Sequence, residues 1–195
     1  MNVLKNISVF LIQVLFNLYL LVLLARIILQ RVGANYYNPF VQLIVRLTNF
    51  IILPLRKVIP SHFGIDFAAI VVLFIIEIIK LILLSSLLLG GVPNLAVLLL
   101  WSMVDLFSLL INIFFYAIIL AVIFSWIGGM ATGPFMDILH LISEPLLRPA
   151  RRLIPPIAGF DISPIPVLIL LKLLNMLLWQ GFLSIMGQAL ISGMV

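Results

Sequence analysis

The chain has 195 residues, of which 65% are hydrophobic and only 9% charged, with a formal net charge of +5 and no cysteine; its mean hydropathy is +1.39. A soluble domain is roughly 45–50% apolar and about 25% charged, so this composition excludes a soluble fold and indicates a lipid bilayer as the solvent. The missing cysteine excludes disulfides, thiolate metal sites and cysteine nucleophiles. The charges are too few, and too close to apolar runs, for a nucleic-acid surface.

In chain order, the first apolar run covers about 8–30, preceded by Lys5. It exceeds the roughly 7–15 residues of a signal-peptide core and reads as a retained membrane helix. Residues 31–66 form a polar loop. The second run covers 67–89 and the turn GGVPN at 90–94 follows. The third run, 95–127, would reach ~50 Å as a helix, against a hydrocarbon core of ~30 Å. Counting back from Trp126 gives a span from Phe107, which leaves Asp105 near the outer edge. A second polar loop occupies 127–163, and the last run covers 164–189.

Shifted by 95 residues, the sequence aligns with itself without gaps. Pro39-Phe40 falls on Pro134-Phe135, Pro54 on Pro149, Arg56 on Arg151 and Lys57 on Arg152. Ile59-Pro60 falls on Ile154-Pro155, Gly64 on Gly159, Asp66 on Asp161, and Asn17 on Asn112. The chain is therefore two copies of one helix–loop–helix unit, 1–94 and 95–195. Two crossings per unit make the copies parallel and put both loops on one side. Those loops hold Arg31, Arg46, Arg56, Lys57, Arg148, Arg151 and Arg152, with Arg26 at the border. The positive-inside rule then makes the loops cytoplasmic and places both termini outside.

Each loop opens with an amphipathic stretch. Gln42, Arg46 and Asn49 share one helical face of 40–53, and Asp137, His140 and Glu144 share one face of 135–148. Such helices lie flat at the membrane interface. The second set reads as a solvated polar face rather than a metal site. A proline-bracketed basic knot follows, LPLRKVIP and then RPARRLIP, where proline is expected to end the interfacial helix. Asp66 and Asp161 are expected to cap the next span, with Ser163-Pro164 as an alternative cap in the second copy.

The pairing of RPARRLIPPIAGFDISP with PLRKVIPSHFGID resembles the YggT family of small bacterial and plastid membrane proteins. The resemblance covers nearly the whole chain. One departure is that Ala68-Ala69 stand in the first copy where the second has Ser163-Pro164. The resemblance implies a non-enzymatic protein of the bacterial inner membrane, linked to osmotic or ion homeostasis and to division or nucleoid organisation.

Both copies also place polar residues in the same two slots inside the bilayer: Glu77 and Lys80 in one, Lys172 and Asn175 in the other. A central charge costs roughly 2.5–3.5 kcal/mol on insertion scales. Equal depths predict a polar seam of Glu77, Lys80 and Lys172, with Asn17, Asn112 and Asn175 around it and Glu77 meeting Lys172.

The sequence thus predicts an all-α membrane protein with four transmembrane helices in two parallel repeats, each with an interfacial helix. No catalytic constellation, cofactor or metal site is expected. Anionic lipid headgroups are the expected contact of Arg56, Lys57, Arg148, Arg151 and Arg152, and a membrane-protein partner or a second copy is the further one. The alternative is a small ion conduit through the seam.

Overall fold

The computed structural model describes residues 3–61, 64, 66–126, 133–154 and 161–191; the side chains of Trp126 and of residues 186–191 are not described. Among these residues the secondary structure is entirely helical. The helices are α1 (Val3–Arg31), α2 (Pro39–Arg56), α3 (Phe67–Leu89), α4 (Leu95–Trp126), α5 (Pro134–Leu153) and α6 (Pro164–Ile191). The two repeats are α1–α2–α3 and α4–α5–α6.

The ends of these helices follow from local chemistry. α2 starts at Pro39 with Asn38 as its N-cap, the Asn38 side chain accepting from the Phe40 N–H at 2.9 Å. Proline suits the first helical position because its missing N–H would be unpaired there anyway. The Asp66 carboxylate accepts from the Ala69 N–H at 3.3 Å and caps α3. α3 stops at Gly90, whose φ of +74° is a left-handed conformation that glycine adopts without strain. The Asn94 side chain then accepts from the Val97 N–H at 2.9 Å to start α4.

Three expectations change. First, the third run, which either tilts and projects as one helix or leaves 95–104 at the interface, is one continuous helix through 95–126, and Asp105, counted near the outer edge of a span, lies within it beside Lys80. Second, proline does not end the interfacial helices: Pro54 lies inside α2, and Pro145 and Pro149 inside α5. All three sit on exposed faces. Pro54 and Pro149 fall in the last turn or next to it, where losing one N–H breaks little of the ladder. Third, α6 begins at Pro164, and the Asp161 carboxylate accepts from the Ser163 N–H at 3.0 Å and from its hydroxyl. Asp161 thus orients Ser163 at the helix start rather than capping the helix directly.

The packing repeats as well. α1 pairs with α3 and α4 with α6, while α2 and α5 lie against their own repeats and touch each other. At that junction the equivalent rings of Phe40 and Phe135 meet with centroids 5.4 Å apart. The Asn38 amide donates to the Pro134 carbonyl at 2.6 Å, tying the start of α2 to the start of α5. α4 is the bridge between halves, because it also packs against α3 and α1.

The main core gathers Leu20, Leu23, Ile52, Ala68 and Ala69, all fully buried, with residues of α4 and α5. Small residues at Ala68-Ala69 let α3 approach its neighbours closely, as helix packing in lipid favours. A smaller core joins Ile118, Leu147 and Leu171 across α4, α5 and α6.

Five helices, α1, α2, α3, α4 and α6, are long and apolar enough to cross a membrane by length and composition. α2 is the shortest of them and carries Arg46 and Arg56. This is a membrane protein of several long apolar helices, built from two repeated units.

Lipid is as apolar as leucine, so burial in this fold stabilises through packing rather than through escape from water. Leu20→Ala, at a fully buried position, is expected to lower unfolding stability by about 2 kcal/mol. Leu18→Ala, on the lipid-facing side of the same helix, should change it by less than ~0.5 kcal/mol. Reversible unfolding in mixed micelles measures both.

Candidate functional site

Polar chemistry collects in two layers, one inside the helical bundle and one at the end that carries α2 and α5. Inside, the ammonium of Lys80 meets three oxygens from three helices. It donates to Asn17 Oδ1 at 3.1 Å and to Asp105 Oδ2 at 2.8 Å. Glu77 Oε1 lies 2.8 Å away as an ion pair without hydrogen-bond alignment. Lysine has three N–H donors and no acceptor, so three oxygens match it. Glu77 and Lys80 are almost fully buried, and Asp105 is 23% exposed. Two carboxylates face one ammonium, leaving one formal negative charge in excess.

The second repeat makes the counterpart of the Lys80–Asn17 link without charge. The Asn175 amide donates to Asn112 Oδ1 at 3.1 Å, the counterpart of Lys80 on Asn17. Ser108 donates to Asn175 Oδ1 at 3.2 Å, and the Trp179 indole donates to Ser108 at 3.3 Å.

The single seam expected from the sequence is therefore two clusters, held by α1–α3 and α4–α6. Lys172 does not meet Glu77: it is exposed on α6, and α3 and α6 make no contact among the described residues. Glu77 pairs instead with Lys80 of its own helix, and the second repeat contributes Asp105 to that lysine.

At the loop end, Asp66 gathers two arginines. Arg56 donates to Asp66 Oδ2 through Nε at 3.2 Å and also through Nη2. Arg26 Nε lies 3.8 Å from the same oxygen. Arg26 is buried near the end of α1 and donates through Nη1 to Thr48 Oγ1 at 2.6 Å and Asn49 Oδ1 at 2.8 Å. The second repeat keeps the pair, with Arg151 Nε donating to Asp161 Oδ2 at 2.8 Å. Ala121 stands where Arg26 would be, and Glu144 stands where Asn49 would be. Glu144 accepts from Arg151 Nη1 at 3.0 Å and lies 3.5 Å from Arg148.

Burial acts to raise the Asp161 carboxyl, but the Ser163 and Arg151 hydrogen bonds outweigh it and the net shift is downward. The hydrogen bond to Asp161 raises Arg151 in turn. Lys57 and Arg152, one slot beyond the paired arginines, are exposed and form no ion pair among the described residues. Gly64 has φ +74°, a turn geometry suited to glycine just before Asp66. Its counterpart Gly159 lies outside the described residues.

The sequence reading missed Arg26, Thr48, Asp105, Ser108 and Trp179 as site residues. The available signals were an arginine inside an apolar run and an aspartate inside another. Each was taken as a helix edge.

The fold and its repeated ion pairs can now be set beside known proteins. A model of the CCB3/YggT family matches residues 5–87 and 100–182, one match per repeat. The chain belongs to the CCB3/YggT family. An uncharacterized protein of Pseudomonas aeruginosa, PA0392, is 40% identical over 186 residues, covering 95% of this chain and 94% of the relative. A Vibrio alginolyticus protein encoded in the proC 3' region is 37% identical over 172 residues, covering 87% and 91%. The Escherichia coli K12 protein YggT is 36% identical over 171 residues, covering 88% of each chain. No solved structure matches. Across this family match, both repeats of the chain share an Arg–Asp pair, an Asn-centred pair and a hydroxyl, Thr48 or Ser143, that donates to the carbonyl four residues before it.

Lys80→Met strands two carboxylates inside the bundle and is expected to cost about 3–5 kcal/mol of stability. Adding Asp105→Asn should recover part of that loss, measured as a double-mutant cycle in mixed micelles. The Arg151–Asp161 pair has a pH signature. An Asp whose folded value is depressed stabilises above its unfolded value of about 3.9, and that contribution is lost as pH falls through the folded value. Both side chains are more than a third exposed, so the effect stays below ~1 kcal/mol. Asp161→Asn should melt lower than the parent at pH 7, and the difference should shrink as the pH is lowered below the ordinary carboxylate range and through the depressed folded value.

Proposed function

We propose that the protein is a non-enzymatic organiser or accessory subunit of the bacterial inner membrane. In this reading both loops are cytoplasmic and both termini lie outside. The loops present exposed basic residues to anionic lipid headgroups or to a membrane-protein partner. The observation that carries it is the division of charge. Lys80 is held inside by Asn17, Glu77 and Asp105, while Lys57 and Arg152 stay exposed and unpaired among the described residues at the α2/α5 end, with Arg148 only loosely paired. A juxtamembrane Lys or Arg near an anionic leaflet contributes about 1 kcal/mol.

A second reading has one observation in its favour. Two carboxylates against one ammonium resemble the intramembrane acid sites that bind a proton or a cation. That reading makes the protein a small ion conduit or flux regulator, acting through Glu77, Lys80 and Asp105. It would give the family's link to osmotic and ion homeostasis a direct route.

One pair of assays separates them. The protein is extracted with its surrounding lipid, and anionic lipid is measured relative to bulk membrane. The combined Lys57→Gln, Arg148→Gln and Arg152→Gln variant should lose the enrichment. In liposomes, potassium and proton flux should match protein-free vesicles and be unchanged by Glu77→Gln. Flux that disappears in Glu77→Gln would move the assignment to the conduit.

A further inference from the structure

The end of α1 and the inner side of α2 enclose a groove of about 380 Å³ beside the Arg26 and Arg56 pairs of the loop end. Its polar lining includes Arg26, Gln30, Tyr36, Asn49 and Arg56, and its apolar lining includes Leu29 and Leu53. An adjoining cleft shares Tyr36 and Asn49 and adds Arg46. Three arginines therefore line the groove and its adjoining cleft, and Asp66 pairs with two of them, Arg26 and Arg56. Arg46 forms no ion pair among the described residues, and the Nη2 group of Arg26 makes no hydrogen bond among them. A guanidinium with free donors, fixed by buried neighbours, suits a phosphate group in geometry as well as in charge.

The second repeat gives a built-in comparison. Arg26, Arg46 and Asn49 correspond to Ala121, Leu141 and Glu144, and Gln42 beside the cleft corresponds to Asp137. Leu53 of the groove corresponds to Arg148, so the second copy loses two arginines, gains one and gains two carboxylates: the same architecture is cationic in one copy and charge-balanced in the other. A requirement of the fold alone would apply to both copies. The surroundings point to lipid as the source of the phosphate. Leu43, Leu47 and Phe50 of α2 are exposed apolar residues, so the helix that forms one groove wall also presents a surface suited to acyl chains.

We propose that this groove binds the phosphate of one anionic phospholipid, with Arg26, Arg46 and Arg56 as its cationic ligands. The proposal rests on the reading that the α2/α5 end faces lipid headgroups, and it sharpens that reading from a diffuse basic surface to a single site in the first repeat. A bound lipid fills the space between α1 and α2 and satisfies the donors that Asp66, Thr48 and Asn49 leave over. The second repeat, with Glu144 on its arginines, makes only the weaker surface contact.

The test uses the full chain in neutral detergent, titrated with phosphatidylglycerol, phosphatidylcholine and inorganic phosphate and read by native mass spectrometry. The expected result is one saturable phosphatidylglycerol site, with phosphatidylcholine bound at least about tenfold more weakly. Arg46→Gln, at an exposed position that leaves the core intact, should weaken phosphatidylglycerol about tenfold, the loss of one charge-assisted contact. Arg26→Gln should weaken it at least as much, and Lys5→Gln, near the start of α1 and away from the groove, should leave it within twofold. Equal affinity in Arg46→Gln, or equal binding of the two lipids, overturns the proposal. Displacement of the lipid by inorganic phosphate at matched concentration also overturns it, because the groove is then a site for a free anion. The two readings fail separately. Unaltered affinity in Arg46→Gln removes the groove alone, whereas unaltered enrichment in the Lys57, Arg148 and Arg152 variant removes the organiser alone.

Discussion

A bilayer offers a buried charge no water, so each charge within the bundle must find its partner in protein or reach the headgroups. Lys80 is where that constraint acts most strongly. Its ammonium donates to oxygens on α1 and α4 and forms an ion pair with Glu77 of its own helix α3. One ammonium thereby sets the register of the first repeat's two long helices and of the first long helix of the second. Hydrophobic matching alone would leave these helices free to slide, because leucine against leucine and leucine against lipid differ little. In the second repeat Asn175 and Asn112 make the same link with neutral groups. Neutral amide contacts in membranes average only about 0.6 kcal/mol.

The proline-bracketed basic knots acquire a physical meaning from the ion pairs. In each copy an arginine returns to an aspartate ten residues further on, and in the first copy Pro60 and Gly64 lie between the two. The aspartate stands just before the next long helix, so the pair couples the end of the amphipathic helix to the start of the span. The copies then diverge. Asp66 is buried and shared with Arg26, whereas the Arg151–Asp161 pair is more exposed and shared with Glu144. One closing device therefore serves a cationic cleft in the first half and a charge-balanced surface in the second.

Much of this architecture was legible in the sequence, for particular reasons. The gap-free repeat is visible because the prolines, glycines and aspartates that shape the backbone are the residues least replaceable by others. The helical class follows from long apolar runs that only helices can carry through lipid. The partners within the seam were less legible. Depth along a helix is countable from sequence, and it correctly separates polar slots from apolar ones. The azimuth of each slot depends on which helix packs beside it, and that is a tertiary fact. Glu77 and Lys172 share a depth, yet they sit on helices that do not touch. Asp105 was assigned to an outer edge because a span of about 20 residues was counted back from Trp126. The continuous α4 instead carries it beside Lys80. Arg26 was hidden in the same way, since an arginine at the end of an apolar run reads equally as a topology signal.

The fate of Lys172 follows from the incomplete symmetry of the bundle. α3 is covered by α1, α2 and α4, so its charged slot points into protein. The symmetric cover for α6 would be α1, and that contact is missing among the described residues. A carboxylate in the uncovered slot would sit in lipid on a short side chain. A lysine there has a four-carbon stem, and helical side chains lean toward the helix N-terminus. Lys172 lies eight residues after Pro164, about 12 Å along α6, and its stem shortens the remaining distance to the headgroups at that end. The exchange of Glu77 for Lys172 between equivalent positions thus matches each slot to its cover: an acid where a neighbouring lysine is available, and a snorkelling base where only lipid is.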